Sequence, residues 1–291
     1  MPEFDPRRHA YRPDLADARL RGKLEAERFV EGVPRRVIVP SIELHAKPRT
    51  DQPASTEALW GEDVLVFEEA KDWAFVQLVR DGYVGYLARE ALGPETALLT
   101  HRVSCLWGYG FKSPDIKTSL RMVLPIGARV AGTLHGEFLK LTDGLFMPRQ
   151  HVAPLGTPEP DFVVVAERLI GTPYRWGGKT ALGIDCSGLV QVAMQAAGLH
   201  APRDSDMQAA EIGEPLAVAS IHPRQRGDLV CWSGHIGIMV DATHLLHANG
   251  HHMAVVSEPL AAVVARAEAH RSPITSIRRP PAKLCTGIGA K

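Results

Sequence analysis

An internal repeat restricts the fold of this 291-residue chain more than any other feature. Residues 75–84 recur as residues 138–147 with one residue deleted, and residues 126–130 echo residues 60–64. Each copy alternates apolar and polar residues around an Asp-Gly pair, which is typical of a β-hairpin. A repeat of this kind predicts two tandem β-domains, each close to the lower size limit for independent stability.

The first hairpin predicts a specific turn. Asp81 and Gly82 separate two alternating runs, and both central residues of a type I′ turn need a positive φ. We therefore expect a two-residue type I′ turn at this point. The two β-domains are assigned to residues 36–97 and 98–156.

An N-terminal helical segment is predicted before these domains, over residues 1–35. Leu15, Ala18, Leu24 and Ala26 lie among charged residues, and this spacing favours a short amphipathic helix over residues 14–29 despite Gly22.

The last part of the chain, residues 157–291, has a different pattern and follows a proline-rich linker at residues 154–160. A first helix is expected over residues 162–170, capped by Asp161 and ended by Gly171. A second, apolar on nearly all sides, is expected from Cys186 to Gly198. Four β-type runs follow, so this part reads as an α+β domain.

Charge and the N-terminus limit the classes of partner. Lys plus Arg and Asp plus Glu number 33 each, which gives no basic surface for nucleic acid or an anionic membrane. The N-terminus lacks the apolar region of a secretory signal, and no stretch reaches the length of a transmembrane helix. We therefore expect a cytoplasmic protein with a small or peptide partner.

The four cysteines are widely separated and form no C-x-x-C pair, which argues against a disulfide or zinc framework. Cys186 stands out because it follows Asp185, a good N-cap, at the start of the apolar helix. The backbone N–H groups and the helix dipole there favour a thiolate and could hold an oxyanion. A small buried hydrophobe is the alternative interpretation of Cys186. The other three cysteines, Cys105, Cys231 and Cys285, are interpreted as packing residues.

Two histidines could serve this cysteine. His235 begins an alternating strand and His247 lies on the next one, so antiparallel pairing would place their side chains about 5 Å apart. A Cys186–His235–His247 relay follows, with the choice of ring nitrogen on His235 left open. The histidine cluster could instead ligate a metal, but no carboxylate has a familiar spacing, and we expect no metal and no cofactor.

Five ordered motifs resemble those of the NlpC/P60 cysteine peptidases. The resemblance spans about residues 161–279 and implies a papain-like core, with Cys186 as nucleophile, His235 as base and His247 as third polar residue. It also implies that Tyr174 lies beside the cysteine and assists the oxyanion. The motifs are Pro173-Tyr174-Arg175-Trp176-Gly177-Gly178, Asp185-Cys186-Ser187-Gly188-Leu189-Val190, Arg226-Gly227-Asp228-Leu229-Val230, Gly234-His235-Ile236-Gly237-Ile238 and Leu246-His247-Ala248.

The two β-domains are similar to bacterial SH3 domains, which are SH3-like β-barrels. The whole arrangement resembles cytosolic γ-D-glutamyl-L-diamino acid endopeptidases of the dipeptidyl-peptidase VI type. In these the first SH3 domain closes the cleft, so that only murein peptides with a free N-terminal L-Ala fit. The resemblance implies that Asp185 and Ser187 bind the substrate ammonium, with Glu62 and Tyr83 from the first SH3 domain.

Other interpretations stay open. Asp185 could act only as an N-cap, and Glu62 could be a solvated turn residue. The chain could be an endopeptidase or amidase acting on intact cell wall, with the SH3 domains as wall-binding modules. It could also be a binding module whose third domain is inactive.

Overall fold

The computed structural model describes residues 4–95, 97–218 and 224–281. Along the chain it forms an N-terminal segment, two β units and a mixed α/β unit. Cys285, predicted to be a packing residue, lies outside the described residues. Cys231 is buried and Cys105 is half-buried, as packing residues would be.

The N-terminal segment is not helical, so the predicted helix over residues 14–29 is wrong. The chain pairs with itself instead: the Ala16 N–H donates to Arg28 O at 2.9 Å, and Gly22 has a φ of +77°. Leu15 packs with Phe67 and Phe75 on the outer face of the next sheet. This tertiary burial outweighs a weak local helix pattern. The elements are β1 (Tyr11–Arg12), β2 (Leu15–Asp17), a 3₁₀ turn (Ala18–Leu20) and β3 (Phe29–Val30).

The first β unit, residues 33–93, is a five-stranded sheet in the order β10-β4-β7-β8-β9, joined by the hairpin β5-β6. An isolated bridge between His45 and Tyr86 connects the hairpin to the sheet. Its core is small and aliphatic, and includes Val64, Val76 and Leu87. The strands are β4 (Val33–Val37), β5 (Ser41–Leu44), β6 (Thr56–Leu59), β7 (Asp63–Ala70), β8 (Trp73–Leu78), β9 (Val84–Ala88) and β10 (Leu92–Gly93).

The β8–β9 hairpin forms where the sequence predicts it, but its turn is different. Leu78 N–H donates to Tyr83 O at 2.8 Å, which leaves a four-residue loop over residues 79–82. Of these residues Gly82 alone has a positive φ, of +76°, so the turn is not type I′. The Asp81 side chain accepts the Tyr83 N–H at 3.0 Å and takes over part of the turn's hydrogen bonding.

The second β unit, residues 101–154, has a three-stranded sheet in the order β14-β11-β18 and a five-stranded sheet in the order β13-β12-β17-β16-β15. Its core contains Val103, Leu124, Leu139 and Met147. The strands are β11 (His101–Val103), β12 (Trp107–Phe111), β13 (Leu120–Pro125), β14 (Arg129–Val130), β15 (Gly132–His135), β16 (Phe138–Leu141), β17 (Phe146–Pro148) and β18 (Val152–Pro154).

The two β units meet through matching parts of the repeat. Arg129 N–H donates to Trp60 O at 2.9 Å, and Gly61, at a φ of +79°, lies directly against Arg129. A Cβ on Gly61 would come within 2.1 Å of Arg129 O. Glycine is therefore required here both for its backbone conformation and for this close approach.

The mixed unit contains a six-stranded sheet in the order β21-β26-β22-β23-β24-β25 and a small hairpin. The second helix packs on one face of the sheet and the fourth helix packs on the other. The elements are α1 (Phe162–Glu167), β19 (Lys179–Thr180), β20 (Gly183–Ile184), α2 (Cys186–Ala196), α3 (Ser205–Glu211), β21 (Glu214–Leu216), β22 (Leu229–Trp232), β23 (His235–Met239), β24 (His244–Asn249), β25 (Ala254–Pro259), α4 (Leu260–Ala269) and β26 (Ser276–Arg279).

Both predicted helices of this unit are present. Asp161 caps α1 by accepting the Val163 N–H at 2.8 Å, but α1 ends at Glu167, three residues earlier than predicted. Helix α2 ends as predicted, with Gly198 at a φ of +76°. Helices α3 and α4 were not predicted. Within the described ranges, none of the helices has the length and apolar character needed to cross a bilayer.

Candidate active site

Cys186 is the first residue of α2 and is 6% exposed. Asp185 caps the helix, because its Oδ1 accepts the Gly188 N–H at 2.7 Å. The backbone N–H groups of Ile236 and Ser187 are directed at the Cys186 sulfur as hydrogen-bond donors. Since Ile236 directly follows His235, these contacts place the sulfur beside the start of β23.

The thiol does not have the lowered pKa that its helix position predicts. Burial, followed by the negative charge of Asp185, raises the pKa of Cys186 to about 11. The N–H groups of Ile236 and Ser187 and the charge of Arg203 oppose this rise without reversing it. Burial and the carboxylate cap therefore act against the thiolate that the position at the helix start favours.

His235 and His247 are brought together as predicted. Strands β23 and β24 are antiparallel neighbours, with Ile238 opposite Leu246, and His235 Nε2 lies 2.8 Å from His247 Nδ1. The Nε2 atom of His235 is therefore used by His247. The nitrogen left for the cysteine is Nδ1, a choice that the sequence left open.

A carboxylate behind His247 fixes the protons of both rings. His247 Nε2 lies 2.9 Å from Glu258 Oε1, and Arg266 donates to the same oxygen at 2.6 Å. Hydrogen bonds from Arg266 and His247 lower the pKa of Glu258 to about 2 against the effect of burial. Glu258 is thus ionised and accepts only, so His247 must carry its proton on Nε2.

The remaining tautomers follow from this assignment. With its proton on Nε2, His247 accepts at Nδ1, and His235 must donate from Nε2. Nδ1 of His235 is then an unprotonated acceptor, as a general base for Cys186 requires. Asn249 Nδ2 lies 3.0 Å from His247 Nε2, but two donors cannot bond each other, and the ionised carboxylate is the better partner.

His235 is neutral at physiological pH. Burial, together with the nearby His247 and Arg266, lowers the pKa of His235 to about 4. The pKa of His247 is also lowered, mainly by burial. The resting pair is thus a thiol and a neutral imidazole, and the sulfur gains its charge only when His235 takes the proton.

Asp185 has more partners than an N-cap needs. Both of its oxygens accept from Arg203, at 3.0 and 2.6 Å, and Oδ2 also accepts the Gly177 N–H at 2.8 Å. Arg203 is 1% exposed and also donates to Ser187 Oγ at 2.7 Å and to Thr56 Oγ1 at 2.7 Å. One buried guanidinium therefore connects the start of α2 with the first β unit.

A cavity of about 400 Å³ opens beside the thiol. Three parts of the chain line it: Arg7 from the N-terminal segment, Ala46, Tyr83 and residues 52–55 from the first β unit, and the remainder from the mixed unit. The predicted residues that line it are Tyr83, Tyr174, Asp185, Cys186 and Ser187. Burial, followed by the proximity of Cys186 and Asp185, raises the pKa of Tyr174 to about 12, so this phenol keeps its proton.

In the cavity Tyr83 contacts Asp204, a residue that was not predicted from the sequence. Its hydroxyl donates to Asp204 Oδ2 at 3.1 Å, and Arg7 donates to the same oxygen at 2.9 Å. Arg7 also bonds Asp206, at 2.8 Å. Burial raises the pKa of Asp204 above the usual range of an aspartate.

The structure does not bring Glu62 to this cavity, and this is a correction to the predicted binding set. Glu62 is 1% exposed and accepts the Leu59 N–H at 3.1 Å. Its other oxygen lies 3.7 Å from Lys179 Nζ, also 1% exposed. Glu62 is thus neither a cavity residue nor a solvated turn residue, but part of a buried contact between the first β unit and the mixed unit.

The residues of the site that were not predicted have only weak local sequence patterns. Arg203, Asp204 and Asp206 form a dense charged cluster directly after a proline, and Asp204 precedes a short helix. That cluster could have indicated a site. Glu258 and Arg7 carry no local pattern, because their partners are distant in the sequence or on another element.

Two segments of the chain match known protein families. Residues 171–269 match the model of the NlpC/P60 family, and residues 44–92 match the bacterial dipeptidyl-peptidase SH3 domain. The chain carries an NlpC/P60 peptidase domain. It combines this domain with a bacterial SH3 domain, and it is a cysteine peptidase.

Two relatives are similar to this chain over about two thirds or more of its length. The chain is 27% identical to dipeptidyl-peptidase 6 of Lysinibacillus sphaericus, covering 73% of this chain and 86% of the relative. It is 29% identical to the γ-D-glutamyl-L-lysine dipeptidyl-peptidase of Bacillus subtilis, covering 68% and 73% respectively. Among solved structures, an NlpC/P60 family protein of Bacillus cereus matches with a TM-score of 0.71 at 18% identity, covering 85% of this chain and 99% of the other.

Proposed function

We propose that this peptidase hydrolyses the γ-D-Glu–diamino acid bond of murein peptides that have a free N-terminal L-Ala, in the recycling of peptidoglycan. The observation that carries this proposal is the excess of carboxylates among the charged side chains that line the cavity beside Cys186. The names of the relatives, which include a γ-D-glutamyl-L-lysine dipeptidyl-peptidase, support the bond type. A cytoplasmic location fits this role and is part of the proposal.

The charge of the residues that line the cavity favours one cationic group. The carboxylates of Asp185, Asp204 and Asp206 line the cavity together with the guanidiniums of Arg7 and Arg203. One carboxylate is thus left in excess, and a substrate ammonium would balance it. Because a buried ammonium needs carboxylate partners, an N-terminal amine is the group that this cavity would select.

Asp204, and not Glu62, is the acid that we place next to Tyr83 in this role. Asp204 is partly buried, and its raised pKa reflects a charge that is incompletely compensated by its neighbours. An arriving ammonium would supply that compensation. Asp185 and Ser187 border the same space, but Arg203 already occupies their acceptors, so we propose that they shape it.

The chemical step would use the relay with its protons as assigned above. His235 Nδ1 takes the proton of Cys186 as the sulfur attacks the γ-carbonyl carbon. Tyr174 and the backbone N–H groups at the start of α2 stabilise the oxyanion. The C–N bond then breaks, and His235 gives its proton to the leaving amine. Water, activated by the same nitrogen, hydrolyses the thioester and restores the thiol.

We also propose that the second β unit is a second bacterial SH3-like domain. Its hairpin repeats that of the first unit, with Leu141 N–H donating to Leu145 O at 2.8 Å, as Leu78 does to Tyr83. The chain would then divide into residues 1–35, 36–97, 98–156 and 157–291, the first being a β-strand segment and not a helical one.

The decisive experiment compares L-Ala-γ-D-Glu-diaminopimelate with the same peptide acetylated on its N-terminus. Acetylation removes the ammonium and changes little else. We expect release of L-Ala-γ-D-Glu from the free peptide only, detected by mass spectrometry. Equal cleavage of both peptides, or cleavage of intact peptidoglycan at a similar rate, would overturn the proposal in favour of a wall-directed endopeptidase.

A further inference from the structure

A second cavity, of about 330 Å³, lies where the two β units and the mixed unit meet. None of its lining residues lines the cavity at Cys186. Three arginines face it: Arg80 from the first β unit, and Arg102 and Arg129 from the second. The mixed unit contributes the end of α2 and residues 198–201, including His200.

The three guanidiniums have little negative charge to balance them. Arg80 has Glu62 at 4.0 Å as its nearest carboxylate. Arg102 bonds Glu159 at 3.3 Å, but Glu159 also pairs with Arg168 at 3.0 Å. In the described part of the chain, the Arg129 guanidinium has no carboxylate within 4.0 Å. Burial is the main cause that lowers the pKa of Arg80 to about 10, and the charges of Arg129 and Arg102 act in the same direction, against those of Glu62 and Asp81.

Arg80 donates to one carbonyl at the end of α2, Gln195 O, at 3.4 Å, but the end of this helix does not explain the positions of Arg102 and Arg129. Free carbonyls at a helix C-terminus attract cations, and such carbonyls would give the arginines a purely structural role. Here the last carbonyls already have backbone donors within hydrogen-bond distance. The donors are Ala197 N–H to Ala193 O, Leu199 N–H to Met194 O, Gly198 N–H to Gln195 O and Glu159 N–H to Ala196 O.

We propose that this cavity binds a phosphate group, either as inorganic phosphate or as a phosphate monoester of a small molecule. Guanidinium forks match the oxygens of such a dianion and would lose their mutual repulsion when it binds. The cavity is within the size range of small-molecule sites, so it has room for more than the phosphate itself. Since all three units contribute to it, the ligand also holds them together.

Equilibrium titration of the full chain at constant ionic strength tests the proposal, with inorganic phosphate and glycerol 3-phosphate as separate probes. We expect saturable binding to one site, and Arg129→Gln should weaken it at least about tenfold. Tighter binding of the ester assigns the cavity to phosphorylated small molecules, whereas equal binding assigns it to free phosphate. Arg129→Lys, which keeps the charge but not the fork, should weaken binding by a smaller factor.

Arg149→Gln is the matched control, because Arg149 is an exposed arginine of the same β unit outside the cavity. It should leave the affinity unchanged. Peptidase activity should be normal in Arg129→Gln and in Arg149→Gln. Normal activity would show that both variants are folded. Binding that does not saturate, or equal weakening by Arg129→Gln and Arg149→Gln, would overturn the proposal.

Discussion

The hairpins of the two β units have the same framework and different uses. In each, an Asp-Gly pair turns the chain, the aspartate accepts the N–H two residues on at 3.0 Å, and the glycine has a positive φ. Tyr83 of the first hairpin corresponds to Leu145 of the second, and only Tyr83 reaches the peptidase cavity. The single residue deleted from the second copy falls at residues 79–80, where the first copy has Arg80.

This difference separates scaffold from function. The turn chemistry that forms the hairpin is common to both copies, so it carries no information about the site. One inserted residue and one replaced side chain give the first hairpin its contacts with both cavities. Function should therefore depend on the first hairpin and not on the second, and the contribution of the first hairpin should be smaller than that of the relay.

The largest effect should come from the relay and not from either hairpin. Cys186→Ala removes the nucleophile, and we expect kcat to fall by about 10⁴-fold or more. The tyrosine and acids of the cavity stay in place, so the variant should still bind the free peptide. Calorimetry of this variant checks the binding, and turnover above the uncatalysed rate would contradict the role of Cys186.

Glu258→Gln should give the next largest loss, about 10²-fold in kcat with little change in KM. An amide can donate to His247 Nε2 and so permits the wrong tautomers. Glu268→Gln is the control and should be neutral, because Glu268 is an exposed acid on α4, the helix that follows the strand of Glu258. A loss confined to KM would show that Glu258 does not act through the histidines.

Tyr83→Phe tests the comparison of the hairpins directly. Loss of the hydroxyl that bonds Asp204 should raise KM for the free peptide roughly tenfold and leave kcat nearly unchanged. Leu145→Met, the matched change in the second hairpin, should affect neither constant. Similar effects from both variants would mean that the first hairpin has no special role.

The smallest effects should appear in the pH profile of kcat/KM. His235 must be unprotonated to accept the thiol proton, so activity should fall only as the pH drops through about 4, the lowered pKa of His235. On the alkaline side activity should fall near pH 8, since an α-amino group has a pKa of about 8 and loses its charge there. An acidic limb between pH 6 and 7 would contradict the burial of His235.

Local patterns predicted the parts of this molecule that depend on neighbours in the sequence. The Asp-Gly pairs specified both hairpins, and alternation along β23 and β24 was enough to place His235 beside His247. The N-terminal segment was predicted wrongly, because packing on Phe67 and Phe75 decided its structure. Asp204 meets Tyr83 and Arg7 across more than a hundred residues of chain, so no local pattern records these contacts. The pKa of Cys186 depends on burial, which only the folded structure provides.

Arg203 has a consequence for how such proteins evolve. Domains of this size are often treated as exchangeable modules, yet this one guanidinium binds Asp185 and Ser187 of the peptidase domain and Thr56 of the first β unit. Lys179 contributes a second buried connection of this kind, through Glu57 and Glu62. Recombination that replaced the first β unit would leave the buried Lys179 ammonium without Glu62, at a cost of about 3–5 kcal/mol. Arg203 would keep Asp185 but lose its hydrogen bond to Thr56. The peptidase domain and the first β unit should therefore be inherited as one unit. The second β unit is freer to diverge than the first.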